Sequence, residues 1–155
     1  MLHILIDADA CPVKDEIYKV AWRYHVPVLL VSNSAIRIPD HPLISRKIVN
    51  DSFDAADDYI VAHVADHAAD KHIVITADIL LADRCLKSGA AAVIAPNGKP
   101  FTPDSIGNAV AVRAIMADLR AGAVGDAIGG PPPFSKADRS RFLSALDQHI
   151  VRLSR

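Results

Sequence analysis

The 155-residue chain predicts a three-layer, doubly wound α/β domain with a mainly parallel five-stranded sheet, order 3-2-1-4-5, and an additional C-terminal helix. Three observations predict it. Short apolar runs rich in branched residues recur along the first 100 residues, the pattern of parallel strands buried on both faces. Segments with helical apolar spacing separate them, and such βα alternation folds with right-handed crossovers. The length also suits one core, because a chain of this size buries roughly two thirds of its unfolded surface, so residues 1–155 read as a single domain.

The first strand is LHILI (2–6). Val13, Ile17, Val20, Ala21 and Tyr24 then recur at helical spacing, with Pro12 in the first turn, where its missing N–H is not needed. PVLLVSN (27–33) and RKIVN (46–50) are the second and third strands. A second helix is expected from Asp54 to Ala69, with Ile60, Val61, Val64, Ala65 and Ala68 on its apolar face. HIVIT (72–76) is the fourth strand, a third helix starts at Asp78 and stops at Gly89, which suits a left-handed C-terminal position, and AAVIA (91–95) is the fifth strand. After a turn, Thr102 is the N-cap of a helix with Pro103 at its first position and Gly122 as its stop. The Gly- and Pro-rich stretch from 125 reads as an irregular strap. Ser135 and Asp138 form a capping box that opens a last helix carrying Phe142, Leu143, Leu146, Ile150 and Leu153, an apolar face that must dock on the core.

Composition narrows the function classes. With 51% hydrophobic and 23% charged residues and a net charge of -1, the chain has an ordinary globular composition. No apolar run is long enough to span a bilayer, and no basic segment leads into a signal-type apolar core, so a soluble cytoplasmic protein is expected. Cys11 and Cys85 have no metal-type spacing and are expected to be free thiols. Near-neutral net charge leaves room for a nuclease, which needs only a local basic patch beside an acidic metal site.

The chemistry-bearing residues are acids. Two aspartates, Asp7 and Asp9, follow the first strand, and Asp78 follows the fourth. Ligands of an open α/β sheet bind outside the carboxyl ends where strand order reverses, and in the order 3-2-1-4-5 strands one and four are neighbours there. Asp57 or Asp58, early in the second helix, can reach the same rim. Such a cluster is a hard-oxygen site suited to Mg²⁺ or Mn²⁺. Two carboxylates about 4 Å apart repel by roughly 4 kcal/mol at an effective dielectric of 20, so a cation is expected to offset them.

Each acid also has a plainer role open to it. Asp78 suits a helix N-cap, Asp57 and Asp58 suit the first turns of a helix, and Asp83 suits an i,i+4 pair with Lys87. Cys11 reads as a packing thiol, and His63 and His67, sharing a helix face without the Glu of a zinc-protease motif, read as surface or packing residues.

The segments DADACPVKDEIY, NDSFDAADDYIV, ITADILLA and GGPPPFSKADRSRFL, spread over essentially the whole chain, resemble the YaiI/YqxD family of bacterial proteins, assigned to the PIN-like superfamily. PIN-like domains are commonly metal-dependent nucleases acting on RNA. The resemblance implies Asp7 as the strand-one ligand, Asp57 or Asp58 as the helix acid and Asp78 as the strand-four ligand. Many such nucleases carry a further acid two residues after the strand-four Asp, where this chain has Leu80; Asp9 or Asp83 is the available substitute. Lys14, Asn33, Arg37, Lys136 and Arg139, with Arg141, are the candidates for contacting substrate phosphates, and the low aromatic content of 5% argues against base-specific readout.

Two other functions are open. Asp7-Ala8-Asp9 after an apolar strand also matches the nucleophile and acid pair of haloacid-dehalogenase-type phosphatases, although that motif usually continues with Thr or Val where this chain has Ala10, Cys11 and Pro12. A non-catalytic RNA- or protein-binding module is the third reading.

Overall fold

A computed structural model describes residues 1–52, 54–107 and 134–154. The strands are β1 (Leu2–Asp7), β2 (Val28–Ser32), β3 (Ile44–Ile48), β4 (Lys71–Ile75), β5 (Ala92–Ile94) and β6 (Pro100–Phe101). They form one sheet in the order β3-β2-β1-β4-β5-β6, parallel throughout except for the last pair. The doubly wound order read from the sequence is present, with a sixth strand added. Two residues are too few to show the period-2 pattern that marks a strand, so β6 left no signal.

Helix α1 (Lys14–Tyr24) follows β1, α2 (Ala55–Asp66) crosses from β3 to β4, α3 (Ile79–Lys87) links β4 to β5, and α4 (Lys136–Leu153) ends the chain. Alternate residues of each strand feed two cores. Ile4, Ile6, Val28, Leu30, Ile73, Ile75 and Ile94 pack with Ile17 and Ala21 of α1 and with Phe142, Leu146 and Ile150 of α4. Leu5, Val31, Val74 and Val93 pack on the other face with Ile60 and Val64 of α2 and Leu81 and Cys85 of α3.

Several boundaries differ from expectation. Pro12 lies in a turn ahead of α1, because a short 3-10 turn (Ala8–Ala10) first carries the chain off β1. Strand β3 begins at Ile44, two residues before the expected run, and only Ile44 is buried in it. It is an edge strand whose Arg46 and Lys47 discourage pairing with another chain. Helix α2 stops at Asp66.

The capping expectations hold. Asp78 caps α3 by accepting from the N–H groups of Leu80 and Leu81, Gly89 has φ 103°, and Ser135 and Asp138 form the capping box of α4. Thr102 accepts from the Ser105 N–H, and residues 103–107 are helical. The remainder of that expected helix to Gly122, and the strap to residue 133, lie outside the described residues.

Helix α4 is tied to α1 as well as to the sheet. Arg139 donates to the Pro12 carbonyl at 2.7 Å and to Glu16 at 3.2 Å while lying over the Phe134 ring. Tyr24 donates to Asp147 at 2.6 Å. Among the described residues no helix is long and apolar enough to cross a membrane.

Candidate functional site

The order reverses between β1 and β4, since the chain winds outward from β1 to β3 and then returns to β4. Asp7 ends β1 and Asp78 opens α3 just past β4. By strand parity Asp7 lies on the same face as Leu5, the face covered by α2 and α3, which is the face from which Asp57 arrives.

A buried threonine sets this edge. Thr76, 2% exposed, donates its hydroxyl to Asp7 Oδ2 at 2.9 Å and accepts from the Asp78 N–H at 3.0 Å. Asp78 uses Oδ1 for both cap bonds. Asp7 Oδ1 and Asp78 Oδ2 therefore remain without a hydrogen-bond partner among the described residues.

The electrostatics show that the acids sense one another. Burial pushes the Asp7 carboxyl above its ordinary value, opposed by the Thr76 bond and reinforced by the charges of Asp9 and Asp78. Burial, then the charges of Asp7, Asp78 and Asp54, push Asp57 up to about 6. Arg84 of α3 pairs with Asp58 at 2.8 Å, and its charge also reaches Asp57 and Asp54; it is not the cation expected beside Asp7 and Asp9. Its position on α3 was not legible as a partner of Asp58, 26 residues away in sequence.

The remaining predicted residues divide sharply. Asp9 has both oxygens engaged, Oδ1 by the Ser32 hydroxyl at 2.7 Å and Oδ2 by the Asn33 N–H at 3.0 Å. It fastens the turn after β1 to the end of β2. Asp83 pairs with Lys87 at 2.9 Å on α3, the i,i+4 pair its spacing allows. Lys14 opens α1 close enough to Cys11 to lower its thiol pKa, but burial dominates and holds that thiol up at about 11; Cys85 is pushed up to about 12. Both cysteines are free thiols, protonated at neutral pH and unsuited to nucleophilic roles.

Arg37 is exposed in a groove with Asp40, His41 and Arg46 beyond β2, and Lys136 is exposed at the start of α4. Arg139 is occupied by Pro12 and Glu16, and Arg141 by Asp138. Beside Asp78 lies a groove of about 490 Å³ that includes Pro12, Ile79, Lys99, Phe101 and Phe134. The sequence reading missed Thr76, Ser32, Arg84 and this groove. The first two had a faint signal, a hydroxyl residue at the carboxyl end of each strand flanking β1.

The donor set fits a hard divalent cation in kind: three carboxylates in electrostatic contact, two of them with an oxygen to spare. Among the described residues, however, no three His, Cys, Asp or Glu side chains stand close enough to form a metal shell as they are.

The family described as "Uncharacterized BCR, YaiI/YqxD family" matches residues 5–152 of the chain. The chain is similar to a UPF0178 protein of Sphingopyxis alaskensis, 66% identical over 152 residues that cover 98% of this chain and 95% of the relative. It is also similar to a UPF0178 protein of Rhodopseudomonas palustris, 57% identical over 155 residues covering 100% and 94%, and to one of a Jannaschia species, 55% identical over 150 residues covering 97% and 93%. No solved structure matches it. With the match running nearly from end to end and including Asp7, Asp57, Thr76 and Asp78, the chain belongs to the YaiI/YqxD family.

Proposed function

We propose that the chain is a divalent-metal-dependent phosphodiesterase of the PIN-like kind that acts on RNA. The observation that carries the reading is the nearness of Asp57 to Asp7 and Asp78 at the β1/β4 switch point, where burial first and then the charges of Asp7, Asp78 and Asp54 lift Asp57 to about 6. Charge held at such a cost in the bare protein is what a bound cation relieves. Asp7, Asp57 and Asp78 would hold Mg²⁺ or Mn²⁺, which when bound supplies charge neutralisation for phosphoryl transfer. Thr76 orients Asp7, and Asp9, with both oxygens engaged, positions the turn that presents it.

Phe101 and Phe134 line the groove beside Asp78 together with Lys99, a combination suited to base stacking and backbone attraction without sequence selection. Lys14, Arg37 and Lys136 are the remaining phosphate contacts; Arg139 serves the α1–α4 junction instead. The phosphatase reading needs Asp9 as a mobile acid, and the two bonds that Asp9 accepts speak against it.

The test is cleavage of a labelled single-stranded RNA by the full chain with Mn²⁺ or Mg²⁺. Metal-dependent cleavage that Asp7→Asn abolishes is expected. RNA binding without turnover in either metal would replace this reading with the binding module, and release of phosphate from a small monoester through an aspartyl-phosphate would favour the phosphatase.

A further inference from the structure

Three exposed cations, Arg37, Arg46 and Lys47, surround the free edge of β3. Arg84, Lys87, Arg139 and Arg141 each face a carboxylate, but these three have no carboxylate partner among the described residues. Asp40 is the one acid lining the groove that Arg37 and Arg46 share, and it pairs with neither.

Two of the three are nonetheless held in place, both by neutral groups. Arg46 donates to the Ile36 carbonyl, and the Lys47 ammonium stands over the Tyr59 ring of α2, 5.8 Å from its centre. A carbonyl or an aromatic face orients a cation and leaves its net charge in place. Protection of an edge strand accounts for charge on β3, but it does not require that the charges be fixed, or that all of them be positive.

The sheet register relates this edge to the acids. Asp7 is in register with Val31, and Val31 with Lys47. Residues in register on parallel strands point to one face, so Lys47 projects on the α2 side with Asp7, and two strand spacings of about 4.8 Å set it about 10 Å away. Arg46, in register with Leu30, carries the charge around the edge to the α1 side, where Leu30 packs. Beyond Asp78, in the other direction, lies the groove of Lys99, Phe101 and Phe134. The acids therefore sit between a cationic edge and an aromatic groove.

We propose that Lys47, Arg46 and Arg37 form a backbone track for single-stranded RNA, which lies across the strands with phosphates on the β3 edge and bases at Phe101 and Phe134. The proposal rests on the RNA reading of the acid crevice and adds the path by which the strand reaches it. The occupant is single-stranded because aromatic side chains stack only on unpaired, splayed bases.

The test is fluorescence anisotropy of a labelled oligouridylate of about 12 nucleotides with the full chain in EDTA, where no metal-dependent cleavage competes, over a series of salt concentrations. For single strands the slope of log affinity against log salt falls by about 0.7 for each phosphate contact removed. The double variant Arg46→Gln/Lys47→Gln is expected to bind more weakly and to lose about 1.4 from that slope. Both positions are exposed, so the core is unaffected. The control Lys19→Gln/Arg152→Gln removes the same charge from exposed positions on α1 and α4 and is expected to keep the wild-type slope. An unchanged slope in the β3 variant, an equal loss in the control, equal affinity for duplex RNA, or no binding by the wild type would overturn the proposal. A β3-dependent slope without cleavage in Mn²⁺ would uphold the track and end the nuclease reading, whereas cleavage with an unchanged slope would overturn the track alone.

Discussion

Thr76 shows how one hydroxyl carries a site. Its Oγ1 serves the Asp7 carboxylate and the Asp78 N–H at once, so Thr76→Val, nearly equal in shape, leaves both without their partner. A hydrogen bond to a charged group contributes about 1.5–3 kcal/mol, and a loss of that order in urea denaturation is expected, accompanied by weaker Mn²⁺ binding.

Two side chains also give the metal-free protein titrations of opposite sign. Asp57 rises from 3.8 to about 6 on folding. Its contribution to stability is therefore fully present below pH 3.8 and lost as pH rises through about 6. Asp57→Asn should stabilise the protein at pH 7–8 by about 1 kcal/mol once solvent screening is allowed for, with no such gain near pH 4. Burial, aided by His63 and His3, lowers His72 from 6.5 to about 4. Its neutral ring favours folding above pH 6.5, and that advantage falls away as pH drops toward 4. His72→Phe should flatten the acid side of the melting-temperature profile. A profile unchanged by either substitution would show that these groups titrate alike in both states.

At the scale of elements, the turn between β5 and β6 and helix α4 are fitted to each other. Gly98 has φ 90°, and a Cβ there would sit 2.7 Å from the Arg141 carbonyl carbon and oxygen. Gly98→Ala thus combines a strained backbone with a clash against helix backbone that cannot yield by side-chain rotation. Destabilisation by about 1–3 kcal/mol is expected, read by chemical denaturation. The same helix buries Phe142, Leu146 and Ile150 completely. Phe142→Ala should cost about 3–5 kcal/mol, whereas a helix merely resting on a finished domain would lose far less.

For the whole molecule, the sheet order decides what meets what. Parallel β1 and β4 side by side put their carboxyl ends, and hence Asp7 and Asp78, at one crevice, while their amino ends bring His3 and His72 together 69 residues apart in sequence. A cation that binds only the folded state stabilises it by about 2.7 kcal/mol at a hundred times its dissociation constant. Mn²⁺ should raise the melting temperature of the wild type and not that of Asp7→Asn. Without metal, Asp7→Asn should be the more stable of the two, because it removes a buried charge and with it the repulsion from Asp9 and Asp78. Equal destabilisation of the variant with and without Mn²⁺ would mark Asp7 as structural.

Local patterns were sufficient for much of this. Apolar runs, helical spacing and caps such as Asp78, Gly89 and Ser135 act within a few residues, so the doubly wound order and the acids at its carboxyl edge were legible from the chain itself. Side-chain partnership was not, because register and crossover choose partners far apart in sequence. Folding alone decided that Asp9 would be fastened by Ser32, that Asp58 would face Arg84, and that Arg139 would hold α4 to α1 instead of remaining free for a phosphate. It also turned four scattered histidines into one cluster, since His3 and His72 become neighbours only when β1 and β4 pair.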